Sequence, residues 1–391
     1  MEHVDVAIIG GGVIGSAIAC CLAGEAGFRG SIVVIERDPS YRFAASALSL
    51  SSIRQQFSTP VNIALSQFSM AFLRRAADHL AVDDDLPDIA LKERGYLFLA
   101  DPAGAPRLAA SHRLQQSLGA DIAFLRPPEL ARRFPWLATD DLAAGSLGQS
   151  GEGWFDGYAL LQAFRRTARS LGVRLRTGEV VGIDRAGRRI CSLRLADGMP
   201  LSCGLVVNAA GPSAGKVAAL AGVELPVEPR KRCVFVFASR APLDDAPLVI
   251  DPSGVYVRPE GRSFLAGVAP PPERDPADPD FAVDDALFDE IIWPRLARRV
   301  PAFAELRRVS AWAGHYDYNS FDQNGLVGPY PGLDNFLCAA GFSGHGMQHS
   351  PGIGRGVAEW IAYGACRSLD LSALAVHRIH DNRPLREINV V

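Results

Sequence analysis

The clearest hydrophobic pattern lies in the first thirty-six residues. Val4 to Ile9 is an apolar run that stops at glycine, which predicts a parallel strand buried on both faces. Ser16 to Ala23 is small and apolar all round and predicts a buried helix. Ile32 to Ile35 predicts a second strand, with Glu36 at its carboxyl end. The uncharged stretch Val6 to Gly24 imitates a targeting segment. Yet it opens on Gly10-Gly11-Gly12 and follows Glu2 and Asp5 rather than a basic region, so a β-α-β unit is the better reading.

Further along, Pro60 to His79 predicts a helix with Thr59 as N-cap. Gly95 to Leu99 predicts a strand. Asp156 caps a helix to Leu171, whose apolar face carries Tyr158, Leu161, Phe164, Ala168 and Leu171. Arg189 to Val207 reads as two strands joined at Asp197-Gly198. Val227 to Ala269 is rich in strand signals, and "PPPERDPADPD" (270–280) is a loop. Val283 to Arg298 is helical with an interruption at Pro294. Phe336 to Ala339 is a short strand. Ser350 then caps, and Pro351 starts, a closing helix through Ile361. Strands alternating with helices, then a strand-rich stretch, predict an α/β chain with α+β elaboration.

Composition changes this picture little. With 48% hydrophobic and 21% charged residues the chain is ordinary globular material. A net charge of −3 gives no electrostatic case for nucleic acid or an anionic membrane surface. The 7 cysteines form no CxxC and no ligand cluster, so they read as buried, reduced thiols of a cytoplasmic protein, with no metal site.

The chemistry starts at Gly10, Gly12 and Gly15, a GxGxxG between strand and helix. The first glycine allows the turn, the second lets a pyrophosphate rest on the backbone, and the third lets helix pack on strand. The helix N-terminus offers N–H groups and partial positive charge to the phosphates. Glu36 can accept from both ribose hydroxyls, and its charge repels a 2′-phosphate. No second such unit follows, so one dinucleotide is expected, NAD or FAD.

Two later stretches decide between them: "LVVNAAGP" (Leu205 to Pro212) and "GFSGHGMQHSPGIGRG" (Gly341 to Gly356). With these the chain resembles the D-amino-acid oxidase and sarcosine oxidase branch of the glutathione-reductase-like flavoproteins, over essentially its whole length. "SSIRQQFS" (Ser51 to Ser58) and "WAGHYDYNSFDQNGLVG" (Trp312 to Gly328) sharpen the likeness towards mitochondrial FAD-dependent oxidoreductase-domain proteins implicated in respiratory complex I assembly. Dimethylglycine dehydrogenase and the sarcosine oxidase β subunit share a looser form.

The resemblance implies a Rossmann-like FAD-binding domain from residues 1–78, 147–222 and 305–391. A substrate domain with a large mixed or antiparallel sheet would come from 79–146 and 223–304. It implies FAD, held by Gly10, Gly12, Val13, Ile14, Gly15, Glu36, Arg37 and Ser46. Val181, Ala209, Ala210, Gly211 and Gly314 would add to the cofactor contacts, and the late loop Gly341, Phe342, Ser343, Gly344, His345, Gly346, Met347 and Gln348 would lie against the flavin. Side chains at Gly344 or Gly346 would intrude on a flat ring. Backbone N–H groups at Gly346, Met347 and Gln348 can meet charge that collects on the reduced flavin. Attachment is expected to be non-covalent, because Trp312 to Asp322 lacks a cysteine and His315 is the nearest candidate.

The same resemblance implies a carboxylate-bearing small substrate, oxidised by hydride transfer to flavin N5. Arg54 falls where the family binds the carboxylate. Gln348 replaces a family lysine, and Arg258 is expected to compensate. Tyr256 and Tyr316 are expected to line the pocket, and His345 to hold its loop or sit beside the ring. The substrate class expected is a secondary or N-methyl amino acid. A 2-hydroxy acid, or an assembly role with little turnover, are the alternatives. Leu265 stands where oxidases of the family place a lysine that assists oxygen, and only Lys92, Lys216 and Lys231 exist in the chain. A quinone or an electron-transfer protein is therefore the expected acceptor. The expected location is cytoplasmic, or peripheral to the respiratory membrane, without a transmembrane segment.

Overall fold

The computed structural model describes residues 2–241, 243–277 and 280–388; Asp278 and Pro279 of the proline-rich loop lie outside them. Its first unit follows the apolar pattern: strand β1 (Glu2–Ile9), helix α1 (Val13–Ala23) and strand β2 (Ile32–Glu36). Helix α2 (Pro60–Leu73) precedes β3 (Tyr96–Ala100), β4 (Ile122–Leu125) and β5 (Ala144–Gly148). Helix α3 (Gly157–Ser170) leads to β6 (Arg174–Thr177), β7 (Val180–Ala186), β8 (Arg189–Leu195) and β9 (Pro200–Asn208). After helix α4 (Ala214–Leu220) come β10 (Val227–Ala238), β11 (Leu248–Ile250), β12 (Tyr256–Glu260), β13 (Ser263–Gly267) and β14 (Arg307–Asn319). Strands β15 (Leu326–Pro329) and β16 (Phe336–Ala340) and helix α5 (Gly346–Tyr363) follow.

Two sheets organise these elements. The first runs β15-β16-β9-β1-β2-β6, with β8 and β7 added as antiparallel strands beyond β9. Its centre is parallel, with Val6 opposite both Leu205 and Ile32. That geometry explains why Val4 to Ile9 is uniformly apolar: helices cover one face and the β7–β8 layer with α4 covers the other. The second sheet runs β14-β10-β13-β12-β11-β3-β5-β4 and is antiparallel except where β11 lies parallel to β3. Strand β14 was expected in the dinucleotide unit. It is instead the edge of the second sheet, paired with β10 from Val227 opposite Asn319 to Ala238 opposite Arg307. The boundary expected at residue 147 falls inside β5.

Period-two alternation gives the second sheet two different faces. Leu97, Cys233, Phe235, Phe237, Val249, Val257, Phe264 and Ala266 form an outer core with the helical segment 287–299. Their neighbours Tyr96, Arg232, Val234, Ile250 and Tyr256 point the other way, towards the first sheet, and line a large cavity.

The helices depart from expectation in instructive ways. Helix α2 ends at Leu73, and Thr59 does not cap it: its hydroxyl donates to Glu387 Oε2 at 2.9 Å. Asp156 does cap α3, accepting from Ala159 N at 2.8 Å. Tyr158 and Leu171, placed by sequence on the buried face of that helix, are exposed; Leu160 is buried instead. Helix α5 starts at Gly346, with His345 as N-cap, one turn before the expected Ser350-Pro351 start. Pro351 lacks the N–H that would reach the Met347 carbonyl. The Ser350 hydroxyl donates to that carbonyl at 3.0 Å and fills the gap. All 7 cysteines are free thiols, and Cys191 is exposed rather than buried.

Helices α1 and α5 pack closely, and Gly354 is the reason. A Cβ there would lie 2.8 Å from Ala17 C and Cβ, so one residue sets how near the two helices come. Gly354→Ala improves helix propensity by about 1 kcal/mol. The crowding should outweigh that gain, for a net loss of roughly 1–2 kcal/mol. Urea unfolding of the holoprotein checks this: a lower midpoint at unchanged slope is expected, and a higher midpoint would contradict the packing argument.

Candidate active site

The cavity, about 1000 Å³, lies between the two sheets. At one end stands the glycine turn after β1. Gly10 has φ 103°, and a Cβ there would meet Ala209 O at 2.4 Å. Gly15 faces away from the cavity; its Cβ would strike Gly10 O at 2.0 Å, as the helix-on-strand role requires. Gly12, Val13 and Ile14 line the wall at the start of α1. Ser46, from the segment after β2, accepts from Val13 N at 2.9 Å and caps that helix. Glu36 accepts from Gly11 N at 2.8 Å and Asp38 N at 2.9 Å, which orients its carboxylate at the cavity edge. Arg37, Val181, Ala209, Ala210 and Gly211 complete this end. Lys216 also lines this wall.

The other end is built from the late glycine loop. Asp317 of β14 is buried and accepts from Gly341 N at 2.7 Å and Phe342 N at 3.0 Å; burial pushes its carboxyl up to about 6. Ser343, at φ 50°, is fixed on the far side: its hydroxyl accepts from Asn319 N at 2.9 Å. Gly341 likewise faces Val227, Asn319 and Leu326. Neither Gly341 nor Ser343 lines the cavity, so both shape the loop rather than touch a ligand. Phe342, Gly344, His345, Gly346, Met347 and Gln348 do line it. Gly344, at φ 91°, lies against the Tyr316 ring. The first-turn N–H groups of α5, which no helical carbonyl can reach, therefore lie at the cavity wall, as do those of α1.

Arg54 is buried at this wall. Its backbone N–H donates to Gln348 Oε1 at 2.8 Å, and Nη1 donates to Gln56 O at 2.7 Å. Nη2 lies 3.0 Å from His345 Nε2. A guanidinium only donates, so His345 Nε2 accepts and the ring is neutral with its proton on Nδ1. Burial, then the charge of Arg54, holds His345 well below the ordinary histidine range. Gln348 thus does more than replace a lysine: it holds the Arg54 backbone.

A residue that sequence reasoning missed anchors the same segment. Glu152 is buried, and its oxygens accept from Gln55 N at 2.6 Å, Gln56 N at 3.1 Å, Gln56 Nε2 at 2.9 Å and Tyr96 N at 3.3 Å. Burial pushes this carboxyl up to about 7 against the pull of those donors and of Arg54. Gly148 makes room for it, since a Cβ there would lie 1.9 Å from Glu152 Oε2.

Other expected residues divide. Tyr256, Gly314, His315 and Tyr316 line the cavity. His315 is at the rim, its ring stacked on Phe281 at 3.9 Å and its Nε2 2.8 Å from Asp280 O. Arg258 does not line the cavity. It donates to Leu50 O at 3.1 Å and Pro259 O at 3.0 Å and pairs with Glu260, so it braces the segment before Arg54 and does not compensate for Gln348. The cavity's cation from this sheet is Arg232, which the sequence reading passed over.

The glycine cradle, the acid at Glu36 and two helix N-termini fit an FAD molecule extended between the two ends. The chain matches the family described as FAD dependent oxidoreductase (DAO) over residues 5–360, and it belongs to that family. It is 43% identical to FAD-dependent oxidoreductase domain-containing protein 1 of Xenopus laevis, across 100% of this chain and 85% of that protein. Among solved structures it superposes on L-proline dehydrogenase from P. horikoshii with a TM-score of 0.86, at 25% identity, covering 98% of this chain and 100% of that one. Glycine oxidase from Geobacillus kaustophilus gives a TM-score of 0.82 at 26% identity, covering 97% and 99%. Among the described residues no helix is long and apolar enough to cross a membrane.

His349, one turn after His345, is buried with Nε2 3.4 Å from Ser66 Oγ, and burial holds it down to about 3. The unfolded chain takes up a proton near the ordinary value of about 6.5. Folding stability supplied by the neutral ring is thus present above that pH and lost as pH falls towards 3. Between pH 7 and 5 the wild type should lose about 2 kcal/mol more than His349→Gln. Denaturant titrations at both pH values check this; equal losses would contradict it.

Proposed function

We propose that the protein is an FAD-dependent dehydrogenase of secondary or N-methyl amino acids. The observation that carries this is Arg54: a buried guanidinium at the cavity wall, paired with a neutral histidine and held by Gln348 and Glu152. Such a group binds a carboxylate strongly in a water-poor site. FAD, when bound, supplies the hydride acceptor. The chain's own residues orient the substrate: Arg54 takes the acid, Tyr256 and Tyr96 flank the space beside it, and the N-terminus of α5 favours negative charge. No dedicated base is required, because hydride loss from a carbon next to nitrogen needs orientation above all. The relative named L-proline dehydrogenase acts, by its name, on a secondary amino acid, and the one named glycine oxidase on a primary one, so the likeness supports amino-acid oxidation and, through the first, the secondary-amine class.

Anaerobic mixing of the holoprotein with a panel of acids tests the reading. Bleaching by sarcosine, dimethylglycine or proline is expected, and bleaching only by 2-hydroxy acids would contradict it. Arg54→Ala removes one partner of a buried charged contact, at about 3–5 kcal/mol. The substrate dissociation constant should rise by roughly two to three orders of magnitude with FAD content retained. Parallel loss of FAD would make Arg54 a cofactor or folding residue instead.

The electron acceptor proposed is a quinone or an electron-transfer protein. Leu265 is a buried leucine on the same sheet face as Tyr256, paired with Arg258 and Val236, so no ammonium stands there to assist oxygen.

Attachment of FAD is proposed to be non-covalent. No cysteine lines the cavity among the described residues, and His315 is occupied by Phe281 and Asp280. After acid precipitation the yellow colour should appear in the supernatant; a yellow pellet would contradict this.

A further inference from the structure

Arg232 stands on β10 two residues before Val234, on the face that looks into the cavity. Its Nη1 donates to Lys231 O at 2.7 Å and Asp275 Oδ1 at 2.9 Å. Nη2 donates to Asp275 Oδ2 at 3.2 Å and to the Tyr316 hydroxyl at 2.6 Å. These contacts fix the guanidinium and use both oxygens of Asp275. Among the described residues, nothing accepts from Arg232 Nε–H.

Two phenols stand with it. Tyr316 accepts from the guanidinium, so its own O–H is left to donate, strengthened by the cationic bond behind it. Tyr256 lies across Gly267, where a Cβ would be 2.2 Å from the phenolic oxygen. The missing side chain at Gly267 lets this ring lean towards β10. Among the described residues neither phenol has an acceptor for its proton. This part of the wall therefore carries three donors, beside an Arg232–Asp275 ion pair whose carboxylate oxygens are already occupied. Burial without an acceptor would cost each of them. An apolar or cationic ligand group fits badly there; a carboxylate can accept all three.

We propose that Arg232, Tyr256 and Tyr316 form a second anion subsite, and that the substrate is an amino acid with two carboxylates. The proposal rests on the reading that Arg54 takes the first carboxylate. With Gln348 standing where the family has a lysine, the donors for a second carboxylate come from the sheet across the cavity, where a longer acid would reach them.

Binding of unreactive acids to the holoprotein tests this, followed by the change in flavin absorption at constant ionic strength. The probes are succinate, glutarate and adipate, each against butyrate. At least one dicarboxylate should bind about tenfold more tightly than butyrate or better. Tyr316→Phe and Arg232→Gln should each reduce that preference to near unity, with butyrate affinity changed no more than about threefold. Equal binding of mono- and dicarboxylates by the wild type overturns the second subsite while leaving the Arg54 site standing. A dicarboxylate preference that survives both substitutions, with FAD content or the flavin spectrum altered instead, assigns these donors to the cofactor and also overturns it. If no acid perturbs the flavin, the Arg54 reading fails along with it.

Discussion

A guanidinium taken out of water must have its charge answered by its surroundings, and much of this site is arranged around that requirement at Arg54. Desolvation alone would drive the group towards neutrality; Tyr96, Glu387 and Glu152 act in the opposite sense. Glu152 is also the template for the segment, since two of its four donors are the backbone N–H groups of Gln55 and Gln56. His345 has to be neutral to accept from Arg54, and its burial ensures that. The charge is therefore compensated from behind and from the side, and the cavity side is where a substrate carboxylate fits.

The same region ties the two sheets together. Gln348 and His345 belong to the start of α5, and Arg54 lies close to the short pairing of Ser52–Ile53 with Gly153–Trp154. Helix α5 crosses α1 at Gly354 and Ala17, so both helices begin at the cavity. Their N-termini lie at the two ends of the cavity, where an extended cofactor fits. The α1 end is fixed by Ser46 and Glu36, and the α5 end by Asp317 through the loop before it. A shift of α5 against α1 would move both the Gly344 to Gln348 wall and Arg54.

What could be read from the sequence was local. Gly10, Gly12, Gly15 and Glu36 act within one β-α-β unit, so their spacing carries their role. Glu152 could not be found that way, because an acid in a glycine-rich stretch reads as solvent-exposed; only the return of residues 54–56 and 96 makes it a buried partner. Pro351 looked like a helix start because proline favours the first turn, but the Ser350 hydroxyl supplies the bond that proline lacks. Arg258 and Arg232 show the limit of period two. Alternation puts both on the cavity-facing side of the sheet, but not where along the strand the cavity lies. Arg258 meets Leu50 O, and Arg232 meets the open space.

The account stands on one contact: a substrate carboxylate on Arg54. A crystal structure of the FAD-loaded protein soaked with a small carboxylate such as acetate addresses it directly. The account expects the carboxylate oxygens within hydrogen-bond distance of the Arg54 guanidinium, with His345 still neutral beside it and Glu152 still on the Gln55 and Gln56 N–H groups. Acetate bound elsewhere in the cavity, with Arg54 unliganded and turned away from it, would contradict the account.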